Sequence, residues 1–147
     1  MSDTLNLTVS GYEVQFGSSN FEIKQQDNFI EATSRDDPNL KAIIFIEELP
    51  REMNRDDVFR DTVSKDPLGI LHMMHLEETS ITGINTNLFV NGQPGFDVFS
   101  NTSKMYSYRI SYWLGGEDAI SIFSASPNSD LKDKIIALAA SIKAKKS

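Results

Sequence analysis

The stretch Tyr106-Ser107-Tyr108-Arg109-Ile110-Ser111-Tyr112-Trp113-Leu114-Gly115-Gly116-Glu117-Asp118-Ala119-Ile120-Ser121-Ile122-Phe123-Ser124-Ala125 alternates side-chain character on both sides of a double glycine. Successive side chains of a strand point to opposite faces. Tyr106, Tyr108, Ile110, Tyr112 and Leu114 therefore share one face, and Ser107, Arg109, Ser111 and Trp113 share the other. The first face is apolar enough to be core. Gly115-Gly116 supplies the turn of a tight hairpin, and a tight hairpin makes its strands antiparallel neighbours.

Working outward, Ser80 to Val90 and Phe96 to Ser100 read as two further strands around the Asn91-Gly92 turn. Near the start, Leu5, Leu7 and Val9 alternate, Gly11 resets the phase, and Tyr12, Val14 and Phe16 follow at period two. Shorter runs at Phe21 to Lys24, Phe29 to Thr33 and Ala42 to Glu47 are separated by the turn-forming clusters Gln26-Asp27-Asn28 and Asp36-Asp37-Pro38-Asn39. This is the pattern of an antiparallel meander.

The period changes twice. After Pro50, Asn54 suits a helix cap, Asp56 and Asp57 suit the positive end of a helix, and Val58, Phe59, Thr62 and Val63 form one stripe, so a helix is expected from Arg55. Asp66-Pro67 interrupts it, and the helical region resumes toward Met74. At the other end, Ser129 or Asp130 is the expected cap of a closing helix. Leu131, Ile135, Leu138 and Ile142 lie at helical spacing, with Ile136 and Ala139 on the same side. Burying those four large side chains contributes about 6 to 12 kcal/mol before entropy is subtracted. Lys143, Lys145 and Lys146 then fall at the helix end that favours cations.

The whole reads as one α+β domain over residues 1–147, a central antiparallel β-sheet with helices packed against it. Each late strand also carries a large aromatic on its more polar face: Phe89, Phe99, Trp113 and Phe123, with Arg109 beside Trp113. On neighbouring strands these rings would form a band across the second face of the sheet, a surface for a protein partner, with Arg109 as its polar handle. That surface predicts a partly accessible Trp113. The competing expectation is that the Arg55 to Met74 region covers the band as core.

Charge and composition exclude several classes. Residues 1–66 hold 14 acidic and 7 basic side chains and residues 67–147 hold 7 of each, so the first half carries the whole net charge of −7. Such a surface repels nucleic acid, which is not an expected partner. There is no cysteine, which removes disulfides, thiol nucleophiles and cysteine metal sites. The longest apolar run, Ala42 to Ile46, is far shorter than the roughly 20 residues a membrane-spanning helix needs. The opening Met1-Ser2-Asp3-Thr4 shows no secretory signal, and a cytoplasmic location is the expectation.

Motifs for catalysis are thin. His72 and His75 are three residues apart, with Glu77 and Glu78 nearby, a spacing that supplies part of a zinc site but lacks a third histidine or an HExxH pattern. A small-ligand or metal-binding protein using them is one alternative. No GxSxG elbow appears, and Ser129-Asp130-Leu131-Lys132 matches SxxK only where a helix cap is expected. The paired acids Asp36-Asp37, Glu47-Glu48, Asp56-Asp57, Glu77-Glu78 and Glu117-Asp118 are adjacent, and adjacent strand residues face opposite ways. No phosphate-cradling, dinucleotide-binding or EF-hand spacing is present. Catalysis is not expected, no cofactor is implied, and a hydrolase with an unrecognised site is the remaining alternative.

The order of elements resembles the PsbP-like fold, shared by PsbP proteins, the Ran-binding Mog family, DcrB lipoproteins and Eag-type chaperones of secretion effectors. The residues that carry the resemblance are the strand Tyr12 to Phe16, the meander through Ile43 to Ile46 and the helix from Arg55. To these are added Val90-Asn91-Gly92-Gln93-Pro94-Gly95-Phe96, the hairpin at Gly115-Gly116 and the closing Ala140-Ser141-Ile142-Lys143. Gly17-Ser18-Ser19-Asn20-Phe21 stands where many relatives have a Pro-x-x-Trp element, and the acylated cysteine of DcrB proteins is missing, so no branch is assigned. The resemblance implies an α/β/α sandwich with a non-enzymatic role in binding or chaperoning another protein. A homodimer is compatible with it, and an Eag-like chaperone is the most specific form.

Overall fold

The computed structural model describes residues 5–9, 11–17, 20–26, 29–49, 51, 55, 81–101 and 105–146. Strands β1 (Leu5–Val9) and β2 (Tyr12–Phe16) form a hairpin in which Val9 faces Tyr12, with Gly11 in the loop at φ +83°. Strands β3 (Phe21–Gln25), β4 (Ile30–Ser34) and β5 (Lys41–Glu48) make the expected first meander. Strands β6 (Ile81–Val90), β7 (Gln93–Asn101), β8 (Tyr106–Gly115) and β9 (Asp118–Ser126) make the second. Asn91 and Gly92 both have positive φ, 53° and 80°, as the two-residue turn between β6 and β7 requires.

The meanders join through β5 and β9, which run antiparallel from Lys41 opposite Ala125 to Glu48 opposite Asp118. The product is a seven-stranded sheet in the order β3-β4-β5-β9-β8-β7-β6 with every pairing antiparallel. Helix α1 (Leu131–Ala140) lies on one face, burying Leu131, Ile135, Leu138 and Ala139 against β8 and β9. Tyr108, Ile110, Tyr112, Ile120, Ile122, Ile44 and Ile30 meet it from the sheet. Burial of the helix's three large side chains contributes about 5 to 9 kcal/mol before entropy.

The end of the chain departs from the helical expectation. The α-helix stops at Ala140, and residues 142–146 form strand β10 (Ile142–Lys146), paired antiparallel with β2 in a separate three-stranded sheet, β1-β2-β10. Lys143, Lys145 and Lys146 therefore belong to a strand and not to a helix end. The physical reason is that β2 has an open edge, and Gly17 N–H bonds the Ser141 carbonyl at 2.8 Å where the new pairing begins. Ile142 is still buried, but from the strand, while Ile136 is exposed. Asp130 occupies the cap position without a side-chain cap bond and instead pairs with Lys134 at 3.5 Å.

Two contacts tie the small sheet to the large one. The Tyr12 hydroxyl donates to Asp118 Oδ2 at 2.5 Å, and the Asn91 amide donates to the carbonyls of Ala139 and Ile142 at 3.2 and 2.7 Å. The expected helix from Arg55 lies outside the described residues apart from Arg55 itself. Among the described residues the single helix covers one face of the sheet, so the expectation of helices on both faces is met on that face. No described helix is long and apolar enough to cross a membrane.

Candidate functional site

The face of the seven-stranded sheet opposite α1 holds most of the residues proposed for partner binding. Cross-strand register puts Arg109 opposite Phe123 and Val98, Ser111 opposite Ser121 and Phe96, and Trp113 opposite Ala119. Glu47 also pairs with Ala119, from the far side of β9. Arg109 is therefore ringed by residues from β5, β8 and β9. Its guanidinium contacts Glu47 Oε2 at 2.7 Å and donates to the hydroxyls of Ser111 and Ser121, each at 3.3 Å. The two serine hydroxyls bond each other at 2.8 Å, and the Phe45 ring lies 5.8 Å from the guanidinium carbon.

Burial pulls the Arg109 guanidinium below its ordinary value, and the facing Glu47 carboxylate opposes that shift. An arginine remains charged under such conditions. The network is thus an ion pair between a buried guanidinium and a partly exposed carboxylate, braced by small hydroxyls. It holds β5 against β8 across β9.

Trp113 corrects the sequence expectation. It is 0% exposed, its indole N–H donates to the Leu49 carbonyl at 3.0 Å, and its ring meets Phe96 at 5.8 Å and 60°. The Arg51 guanidinium caps the ring at 5.6 Å. Arg109 is equally buried. Neither belongs to an accessible surface, because the polar side of β8 is enclosed rather than wet.

Phe99 is corrected in another way, since it lies on the face that carries α1. It is opposite Tyr108 in register, half-buried, and 6.0 and 6.5 Å from the Tyr106 and Tyr108 rings, with the Lys132 ammonium over both Phe99 and Tyr108 at 5.9 Å. Its neighbour Asp97, which made that side look polar, is buried and accepts the Tyr108 hydroxyl at 2.6 Å. Burial and then that hydrogen bond push the Tyr108 hydroxyl well above its ordinary value.

What remains open lies at the margins of the arginine face. Phe123 is half-buried and pairs with Ile43, which is 38% exposed. Phe89 is 68% exposed on β6, the outermost strand of the other side, opposite Pro94. The five residues thus separate into a buried pair, a half-open row at Phe123, an isolated ring at Phe89 and a ring on the helix side.

Glu47 and Tyr112 were not singled out as site residues. Glu47 partners Arg109 from 62 residues away, and only the β5–β9 pairing reveals it. Tyr112 belongs to the core, as its place in the alternation implies, but its buried hydroxyl makes no hydrogen bond of normal geometry, and burial, opposed by the nearby Asn91 amide, pushes it up to about 12. His72 and His75 lie outside the described residues. Among the described residues no three metal-ligating side chains converge.

No protein-family model matches the chain, and no curated protein matches it. Among solved structures it is similar to cyanobacterial PsbP (CyanoP) from Synechocystis sp. PCC 6803. That likeness covers 99% of this chain and 94% of that one at 8% identity, with a TM-score of 0.55. A crystal structure from Bacteroides thetaiotaomicron VPI-5482 aligns over 93% of this chain at 9% identity and a TM-score of 0.49, and the chain spans 46% of that protein's length. The architecture is that of a predominantly antiparallel sheet with a docked helix. It is a PsbP-like fold.

Proposed function

We propose that this chain is a non-enzymatic protein-binding module, an adaptor or chaperone acting in the cytoplasm, with an Eag-like chaperone as its most specific form. The carrying observation is the cross-strand row of Ile43 and Phe123, left partly open beside a network that is otherwise closed. Glu31 sits opposite Ile43 on β4, so the row has an acidic flank. A partner offering an apolar side chain next to a basic one fits that chemistry. The finer α/β/α architecture, with helices on both sheet faces, belongs to the same proposal.

Support from the fold is limited to architecture, because unrelated functions share folds. The test is therefore made on the row itself. The tagged full chain is recovered from its native cell, the co-purifying protein is identified, and binding is reconstituted with both proteins pure. Ile43→Ser and Phe123→Ser are expected to weaken that binding at least tenfold while leaving the circular dichroism spectrum unchanged. Unchanged affinity in both variants overturns the reading. Light scattering on the isolated chain decides whether the partner is a second copy.

A further inference from the structure

A cavity of about 160 Å³ lies between the Asn91-Gly92 turn and β10, against the end of β8. Its lining combines Tyr112 and Leu114 from β8, Asn91 and Gln93 from the turn region, and Ile142 to Ala144 from β10. Tyr112 is 2% exposed, and among the described residues its hydroxyl is the buried side-chain atom that makes no hydrogen bond of normal geometry. The adjacent Asn91 amide, which donates to the Ala139 and Ile142 carbonyls, also faces the hydroxyl as a donor and opposes the upward shift that burial imposes on it. What the tyrosine hydroxyl lacks is an acceptor, and a buried donor left unpaired is costly.

The backbone adds a second donor. The bond from Gly17 N–H to the Ser141 carbonyl sets the alternation of the β2–β10 ladder. Residues 141, 143 and 145 turn their main-chain groups toward β2, whereas Ile142 and Ala144 turn theirs away, to the cavity side. Asn91 takes the Ile142 carbonyl, which leaves the Ile142 N–H and both the N–H and the carbonyl of Ala144 on that side. Lys143 lines the rim from an exposed strand position, with its cation near the opening, while Leu114 and Ile142 provide apolar wall. At about 30 Å³ per water, the volume suits a group of about five or six heavy atoms.

We propose that this cavity binds a carboxylate bearing a small apolar group, with the Tyr112 hydroxyl and Ala144 N–H as donors and Lys143 as counter-charge. The carboxylate comes either from a free short-chain acid or from the C-terminus of a peptide. The proposal does not rest on the protein-binding reading, because the free acid is tested with no partner protein present.

The test is an NMR titration of the full ¹⁵N-labelled chain with sodium isobutyrate, isobutyramide, Gly-Gly-Val and its C-terminal amide. Saturable shifts confined to the amides near residues 91–93, 112–114 and 142–144 are expected with at least one of the two carboxylates. The lower saturating concentration identifies the source. The corresponding neutral amide is expected to bind at least tenfold more weakly. Tyr112→Phe should weaken the carboxylate about tenfold at an unchanged or raised melting temperature, since the hydroxyl it removes is unpaired in the fold. Lys143→Gln, at an exposed position, should weaken it a few-fold and flatten its salt dependence. The proposal is overturned if neither carboxylate saturates, if the neutral amides bind equally well, or if both variants titrate like the parent chain.

Discussion

The two faces of β8 are buried to a similar depth by opposite chemistry. Toward α1 the strand presents Tyr108, Ile110 and Tyr112, which pack among isoleucines and the helix's leucines. Away from it, Ser107, Arg109, Ser111 and Trp113 are enclosed with Ser121, Phe96 and Val98. The first face is held mainly by apolar area, which is tolerant of modest exchange, with the Tyr108–Asp97 bond as its buried polar contact. The second is held by a charge pair, small hydroxyls and one indole, each needing its partner. Polarity along a strand therefore reports which side a residue faces, but it does not report whether that side meets water.

The hardest test of this comparison is Trp113→Ala, which removes the largest buried side chain on the arginine face together with the indole bond to Leu49. We expect a loss of about 3 to 5 kcal/mol in urea unfolding. A loss below about 1 kcal/mol would return Trp113 to the role of an accessible residue and break the equivalence of the two faces.

Next comes Glu47→Ala, which strands the buried Arg109 charge. Breaking a buried pair by removing one partner costs about 3 to 5 kcal/mol, and the low end is expected because the Glu47 side chain keeps 21% exposure. Replacing both members, Arg109→Met with Glu47→Leu, should recover most of that loss, because the desolvation cost disappears with the charges. If the double variant is as unstable as the two single losses combined, the pair acts through packing and not through charge.

Gly95→Ala probes the helix-side face at a point of close approach. A Cβ there would meet the Ser111 carbonyl at 2.2 Å and the Tyr112 Cβ at 2.9 Å, both in the neighbouring strand. Overpacking against backbone costs about 1 to 3 kcal/mol, whereas Gly83→Ala, whose Cβ meets only Phe99 Cβ at 4.0 Å, should stay within about 0.5 kcal/mol.

How much of this was legible follows from range. Strands β1 to β9 could be read because period-two alternation and glycine turns are local, and the antiparallel sense within each meander followed from the short hairpins, whereas the long-range β5–β9 junction had no local signal. Strand β10 could not, because Ile142 lies four residues after Leu138 and the lysines after it suit a helix end equally well. Only the open edge of β2, more than a hundred residues away, selects the strand. Serines at 107, 111 and 121 read the same on a wet face as beside a buried guanidinium, so the enclosure of Arg109 was hidden. Asp97 misled in the same manner: its carboxylate marked a polar side, yet Tyr108 satisfies it within the core.

Alkaline titration probes the buried Tyr108 on the helix-side face. The folded chain holds the Tyr108 proton past the pH near 10 where an unfolded tyrosine releases it, and Tyr12 and Tyr112 are raised in the same direction. Above that pH the folded state binds more protons than the unfolded state, so stability, constant from these groups at lower pH, must fall as pH rises. Tyr108→Phe should reduce the slope of unfolding free energy above about pH 10, measured by urea midpoints. A slope identical to that of the parent chain would mean that the Asp97–Tyr108 pair does not carry it.

The smallest stability effect is expected where the arginine face opens. Phe89 is 68% exposed on an outermost strand, so Phe89→Ser should change stability by no more than about 0.5 kcal/mol, against several for Trp113→Ala on the same side of the sheet. That contrast matters for function as well as for folding. A side chain that costs the fold nothing to replace is free to serve a partner, and binding measured with Phe89→Ser alongside Phe123→Ser separates the two margins. If Phe89→Ser alone abolishes binding, the partner docks at the β6 edge and the Ile43–Phe123 row is ordinary surface. If Phe123→Ser alone does so, the acidic flank at Glu31 becomes the next residue to reverse in charge.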